Sequence, residues 1–173
     1  MKPPFVVELL RDHDRAGFSC GVEALDRYFK TQVTQDIRRH VTSCFVAVEA
    51  RTGIVAGFHT IAAASIPMPH LPESVAKKLP RHPSVPAIRL GRLAVDQRFR
   101  ARGLGGALLA DAAARAIRAE AAACAMIVDA KDEAAVSFYE RHGFRRLGSL
   151  PRSLFLVLAT AEKALAGRGG TNG

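Results

Sequence analysis

The strongest constraint on this chain is a change of period across a run of glycines. From Ala87 to Val95 apolar residues fall at Ile88, Leu90, Leu93 and Val95, near the alternation of a strand, and from Leu104 to about Ala122 alanine dominates, as in a helix. Between the two stands Arg100-Ala-Arg-Gly103-Leu-Gly105-Gly106. A strand that turns through glycines into a helix directs successive backbone N–H groups, and the positive end of the helix dipole, at one spot. That is an anion site. Glycines let a phosphate approach the backbone closely, and Arg98, Arg100 and Arg102 add charge suited to a pyrophosphate and a ribose phosphate. A flexible turn with surface arginines uses the same residue types; the strand–turn–helix context favours the anion site.

Two common phosphate loops do not fit. A dinucleotide-binding turn needs a third glycine where Leu108 stands, and a Walker loop ends in Gly-Lys-Ser/Thr. What fits is a coenzyme with a diphosphate and an extended arm.

The rest of the chain is consistent with one domain of mixed class. Phe5 to Leu9 reads as a strand and Asp14 to Gly21 as a polar loop. From Val22 to about His40, Leu25, Tyr28, Phe29, Val33 and Ile37 recur at helical spacing, with Arg27, Lys30, Arg38 and Arg39 on the other side. Cys44 to Glu49 and Ile54 to Ser65 form an expected hairpin around Arg51-Thr-Gly53. Six prolines at 67, 69, 72, 80, 83 and 86 then allow at most one short helix, Glu73 to Leu79. Met126 to Asp129 is a strand, Glu133 to Arg141 a helix closed by Gly143, and Ser153 to Ala159 a last strand. We expect a single α/β (α+β) domain over 1–165, a mixed and mostly antiparallel sheet of about six to seven strands flanked by helices, and a disordered tail over 166–173.

Composition narrows the setting. The formal net charge of +9 attracts polyanions, nucleic acid or an acidic protein, although a basic genome composition produces the same number. No segment approaches the roughly 18 apolar residues of a membrane span, and the amino terminus lacks a signal-like apolar run. A cytoplasmic protein is expected. Three widely spaced cysteines suggest neither disulfides nor a metal site.

Two ordered motifs carry a family resemblance. Arg100-x-x-Gly103-x-Gly105 after the strand resembles the Gln/Arg-x-x-Gly-x-Gly/Ala signature of the GNAT superfamily, and Ala134 to Phe144, with Phe138-Tyr139 and Gly143-Phe144, resembles its carboxy-terminal helix. Phe18-Ser-Cys-Gly21, Leu25-Asp-Arg-Tyr28 and Leu90-Gly-Arg-Leu-Ala-Val-Asp96 resemble, more narrowly, the GNAT toxins of type II toxin–antitoxin pairs. That resemblance implies the GNAT fold and an N-acetyltransferase that uses acetyl-CoA and needs no metal. It further implies aminoacyl-tRNA as acceptor, inhibition of translation, a ribbon-helix-helix antitoxin and a homodimer.

It also implies roles. The backbone of Leu93, Ala94 and Val95 would hold the pantetheine arm, with the Leu93 N–H polarising the thioester carbonyl. Arg100, Ala101, Arg102, Gly103, Leu104, Gly105 and Gly106 would take the diphosphate. Tyr139 would give a proton to the departing thiolate, although a helical tyrosine beside Phe138 also suits plain packing. No residue stands out as a general base. Glu49, Asp129, His59 and His142 are candidates for a water relay. Arg38, Arg39, Arg89 and Arg92 are first among the basic residues suited to tRNA phosphates. Two other readings remain: a GNAT enzyme for a protein amino terminus or small amine, and a non-catalytic nucleic-acid-binding regulator.

Overall fold

Alternating apolar residues build the strands where hairpin turns bring them together. The computed structural model describes residues 2–148 and 150–169. β1 (Phe5–Leu9) pairs antiparallel with β2 (Ser43–Glu49), and β2 with β3 (Val55–Pro67), around a turn in which Gly53 has φ 75°. A bulge between Ala47 and Val48 shifts the register of that hairpin.

The expected amphipathic helix is three pieces: α1 (Glu23–Arg27), a π turn (Tyr28–Gln32) and α2 (Val33–Arg38). The wider turn falls where Tyr28, Phe29 and Val33 are buried. Phe29 stacks on Phe58 with ring centroids 4.1 Å apart, and Phe18 meets Phe29 edge-on at 4.8 Å.

The proline-rich stretch contains a 3₁₀ turn (Met68–His70) and α3 (Glu73–Ala76), which stops short of the expected Leu79. β4 (Ser84–Val95) begins before Ala87, and α4 (Leu104–Arg118) ends before Ala122. Helix propensity alone would carry α4 onward through alanines. Tertiary pairing decides otherwise: the Cys124 N–H bonds the Pro86 carbonyl at 2.9 Å, so the chain has already turned to run beside β4. β5 (Ala125–Asp129) pairs parallel with Ala87–Leu90, and α5 (Glu133–Arg141) follows. β6 (Arg145–Arg146), absent from the sequence reading, pairs antiparallel with β7 (Ser153–Val157). The last strand ends at Val157 rather than Ala159, and α6 (Leu158–Gly169) replaces the expected disorder as far as Gly169. Residues 170–173 lie outside the described residues.

The chain forms two compact units, one made of the segment up to Ala62 with Gly91–Ala112, the other of Ala63–Leu90 and the segment from Ala113. Strands of the first run in the order β1-β2-β3-β4, those of the second β3-β4-β5-β7-β6, seven strands among the described residues and mostly antiparallel. The first core gathers Phe18, Phe29, Val33, Val46 and Phe58, with a second patch of Ala56, Phe99, Leu104 and Leu108. The other unit buries Ile66, Val85, Ile127, Leu147 and Phe155. No described helix is long and apolar enough to cross a membrane.

Candidate active site

In the glycine turn, Ala101 and Gly103 have φ of 62° and 74°, both in the left-handed region. Arg100 before them is extended (φ −64°, ψ 159°), and successive N–H groups in a turn of this kind form an anion-binding nest. The Ala107 N–H bonds the Gly103 carbonyl at 3.1 Å, so α4 starts at once. The first N–H groups of a helix have no partner inside it and remain for an anion. A Cβ on Gly103 would meet nothing within 4 Å, so φ rather than crowding calls for glycine there. At Gly57 of β3 crowding decides, since a Cβ would lie 2.9 Å from the Ala94 carbonyl and from Leu108 of α4. Without side-chain bulk there, α4 can lie against the strands and set the height of the turn.

A buried carboxylate anchors the turn. Asp96 is 1% exposed and accepts from the Ser19 N–H at 3.0 Å, the Arg98 N–H at 2.8 Å, and the Arg98 Nε and Nη2 at 3.0 Å each. Burial by itself would raise this carboxyl, but the bonds from Arg98 and Ser19 outweigh it and hold it below the usual carboxylate range. The Gln97 N–H bonds the Ser19 carbonyl at 2.9 Å, and the Arg100 Nη2 bonds the Cys20 carbonyl. Phe18-Ser-Cys-Gly21 is therefore a strap behind the turn. Gly21, at φ 86°, holds a conformation that favours glycine, and a Cβ there would lie 2.6 Å from Gln97 Nε2 and 2.9 Å from Arg100 Nη2, whose flexible side chains would have to shift.

The Arg98 guanidinium bonds Asp96, and Arg100 bonds the Cys20 carbonyl through Nη2 alone, so both side chains are partly held by protein oxygens. Arg102 lies 3.8 Å from Glu49 with a side chain 54% exposed, against 52% for Arg98.

Leu93 and Val95 are half-buried against the patch of Ala56, Phe99, Leu104 and Leu108, while Ala94 joins the Phe18–Phe58 core. The parallel ladder of β4 with β5 ends at Leu90 opposite Val128, and β4 continues to Val95. Beyond the ladder with β5, the Arg92 N–H donates to the Thr60 hydroxyl at 2.9 Å.

In the second unit, Asp132 caps α5 by accepting from the Ala135 N–H at 2.8 Å, and Gly143, at φ 92°, ends it. Tyr139 is 8% exposed, with Phe138 and Phe144 rings 5.2 and 5.5 Å away. Burial pushes its phenol up to about 12, so it carries its proton throughout the neutral range.

The basic candidates divide. Arg38 and Arg39 are exposed at the end of α2. Arg92 lies over the Tyr28 ring, 3.4 Å from its centroid, and the Tyr28 hydroxyl bonds Asp36 at 2.9 Å. Arg89 is ion-paired with Asp129. Among the relay candidates, His59 is fully buried, stacks on Phe45 and bonds Asp111 at 2.8 Å, while His142 bonds the Phe138 carbonyl. Asp96, named only as the end of a motif, and Asp111 had no role assigned from sequence, because a lone aspartate carries no local signal of its partners.

An acetyltransferase (GNAT) domain model matches residues 76–167. The chain is 34% identical over 156 residues to the tRNA-acetylating toxin of Mycobacterium tuberculosis, covering 89% of this chain and 91% of that protein. It is 32% identical over 162 residues to the probable toxin TacT of Sinorhizobium fredii, covering 88% and 90%. A solved structure of AtaT complexed with acetyl-methionyl-tRNAfMet matches with a TM-score of 0.86 at 27% identity, over 93% of this chain and 99% of that one. With the nest, the buried clamp and these relatives in agreement, the chain belongs to the GNAT acetyltransferase family.

Proposed function

We propose that this protein transfers the acetyl group of acetyl-CoA to the α-amino group of aminoacyl-tRNA, and so blocks translation as the toxin of a toxin–antitoxin pair. The carrying observation is the nest of Ala101 and Gly103 opening α4, which suits the diphosphate of that thioester carrier. The acceptor rests on likeness to a tRNA-acetylating toxin along nine-tenths of both chains, and the net charge of +9 agrees with an RNA partner.

Acetyl-CoA, when bound, supplies an activated acetyl thioester. N–H groups of residues 103–106 hold the diphosphate, and Arg102 adds charge beside them. The Leu93–Val95 backbone keeps the arm extended, and the Leu93 N–H faces the carbonyl oxygen, where negative charge develops. Tyr139, protonated at neutral pH, is the proton donor to the thiolate. Arg38 and Arg39 meet phosphates of the tRNA. We read residues 1–165 as one catalytic domain acting in the cytoplasm as a homodimer, silenced by a ribbon-helix-helix antitoxin.

The test is purified protein with labelled acetyl-CoA and bulk aminoacyl-tRNA. Label is expected in the aminoacyl moiety, released with it by mild alkali. Label that enters only protein amino termini or free amines, or no transfer at all, overturns the reading.

A further inference from the structure

Three neighbouring strands bring one basic, one acidic and one hydroxyl side chain together at the point where the parallel ladder stops. Asp129 follows Val128, the last β5 residue paired with β4, and is itself the register partner of Ser153 on β7. The Ser153 hydroxyl donates to Asp129 Oδ1 at 2.6 Å, and Arg89 Nη1 donates to Oδ2 at 2.5 Å. Ala125 and Ile127, four and two residues earlier on the strand, are buried with Phe155. Asp129 ends that apolar run with a carboxylate whose side chain is 61% exposed.

The position has chemical meaning. Ligands of open sheets with parallel strands bind beyond the carboxyl ends of those strands, and Asp129 is the carboxyl-terminal residue of β5. From it the chain passes through residues 130–132 into α5, which carries Tyr139. An ionised carboxylate has about four acceptor positions, so the two bonds leave room for a further donor. On a chain with net charge +9, an outward carboxylate on an RNA-binding enzyme repels phosphate unless it serves a cation. Arg89 offsets that repulsion, and Ser153 sets the direction of the carboxylate. The acceptor in the proposed reaction offers such a cation, since the α-amine of an aminoacyl ester exists partly as ammonium.

We propose that Asp129, oriented by Ser153 and flanked by Arg89, binds the α-amine of the acceptor, so that the enzyme selects tRNA bearing a free amine. The inference rests on the aminoacyl-tRNA reading. It makes Asp129 a substrate-binding residue, Ser153 a positioning residue, and Arg89 a local counter-charge rather than a phosphate contact.

The experiment compares binding of two tRNA pools without acetyl-CoA, one charged with amino acids and one with the matching 2-hydroxy acids. For the native protein the amine pool is expected to bind about tenfold tighter, the effect of one charge-assisted hydrogen bond. In Asp129→Asn that preference falls to about twofold or less, KM for aminoacyl-tRNA rises more than kcat falls, and acetyl-CoA affinity and Tm stay unchanged. Ser153→Ala lies between, at about threefold. Equal binding of both pools by the native protein, or full discrimination retained by Asp129→Asn, overturns the assignment of Asp129. If the native protein discriminates but acetylates no aminoacyl-tRNA, the functional reading fails instead, and the anchor belongs to another amine.

Discussion

The glycine turn and the β5–α5 corner divide backbone and side-chain labour in opposite ways. In the turn, backbone N–H groups are the proposed working parts and side chains hold them: Asp96 ties Ser19 to Arg98, and Arg100 reaches the Cys20 carbonyl. At the corner, side chains are the proposed working parts and backbone holds them, through the β5–β7 ladder at Asp129 and the capped helix that carries Tyr139. A substitution in the turn therefore acts through shape, so coenzyme affinity and stability change together. One at the corner acts on chemistry and leaves the fold alone.

Tyr139→Phe is the largest test of that contrast. Removing the donor but keeping the ring is expected to lower kcat by about 10²- to 10⁴-fold, with acetyl-CoA affinity unchanged in steady-state and binding assays. A kcat within threefold of the native value would break the comparison at its corner. The same substitution has a pH signature. With the native phenol at about 12 against an ordinary 10.0, its contribution to stability is whole below pH 10 and is lost as the pH rises towards 12. Denaturant melts across that window should show a loss on the order of 2–3 kcal/mol that Tyr139→Phe lacks.

Asp96→Asn comes next. Neutralising a buried carboxylate that accepts four donors should cost about 3 kcal/mol, read by urea denaturation, with acetyl-CoA affinity falling alongside. Because folding lowers this carboxyl, its contribution is present above about pH 4 and disappears as the pH falls through the native value. The variant should lose that acid limb. Unchanged coenzyme affinity in a destabilised protein would show that the clamp does not shape the nest.

Gly103→Ala forces a side chain into the left-handed region and should cost about 1–2 kcal/mol, with acetyl-CoA affinity about tenfold weaker because the N–H groups turn away. Arg102→Gln is the smallest change. Its long, half-exposed pair with Glu49, at 3.8 Å, should contribute less than about 1 kcal/mol, and coenzyme affinity should weaken a few-fold at low salt and little at high salt. A larger, salt-independent loss would make Arg102 part of the rigid turn.

Much of the site was legible because its signals are local. Glycine at positive φ, Asp132 at the start of a helix and Gly143 at its end each satisfy groups within a few residues, so spacing along the chain reports them. The partners of charged side chains are another matter. Arg98 and Arg100 look alike in sequence to arginines waiting for phosphate, yet their partners, Gly17, Asp96 and Cys20, include residues about eighty positions away. Arg92 over Tyr28 and Arg89 with Asp129 are long-range pairs of the same kind. The π turn at Tyr28–Gln32 escaped notice because its period differs from a helix by a fraction of a residue per turn.

By itself the sequence determined most of the element types, the glycine turn at the entrance to α4, and the α5 helix with Tyr139, since each follows from hydrogen bonds and steric limits between near neighbours. Only tertiary structure decided where α4 stops, that β6 exists, and which charges are free, because strand pairing and ion pairing join residues far apart in the chain. Backbone preferences are properties of short segments, whereas a charge takes its role from whatever the finished fold sets beside it.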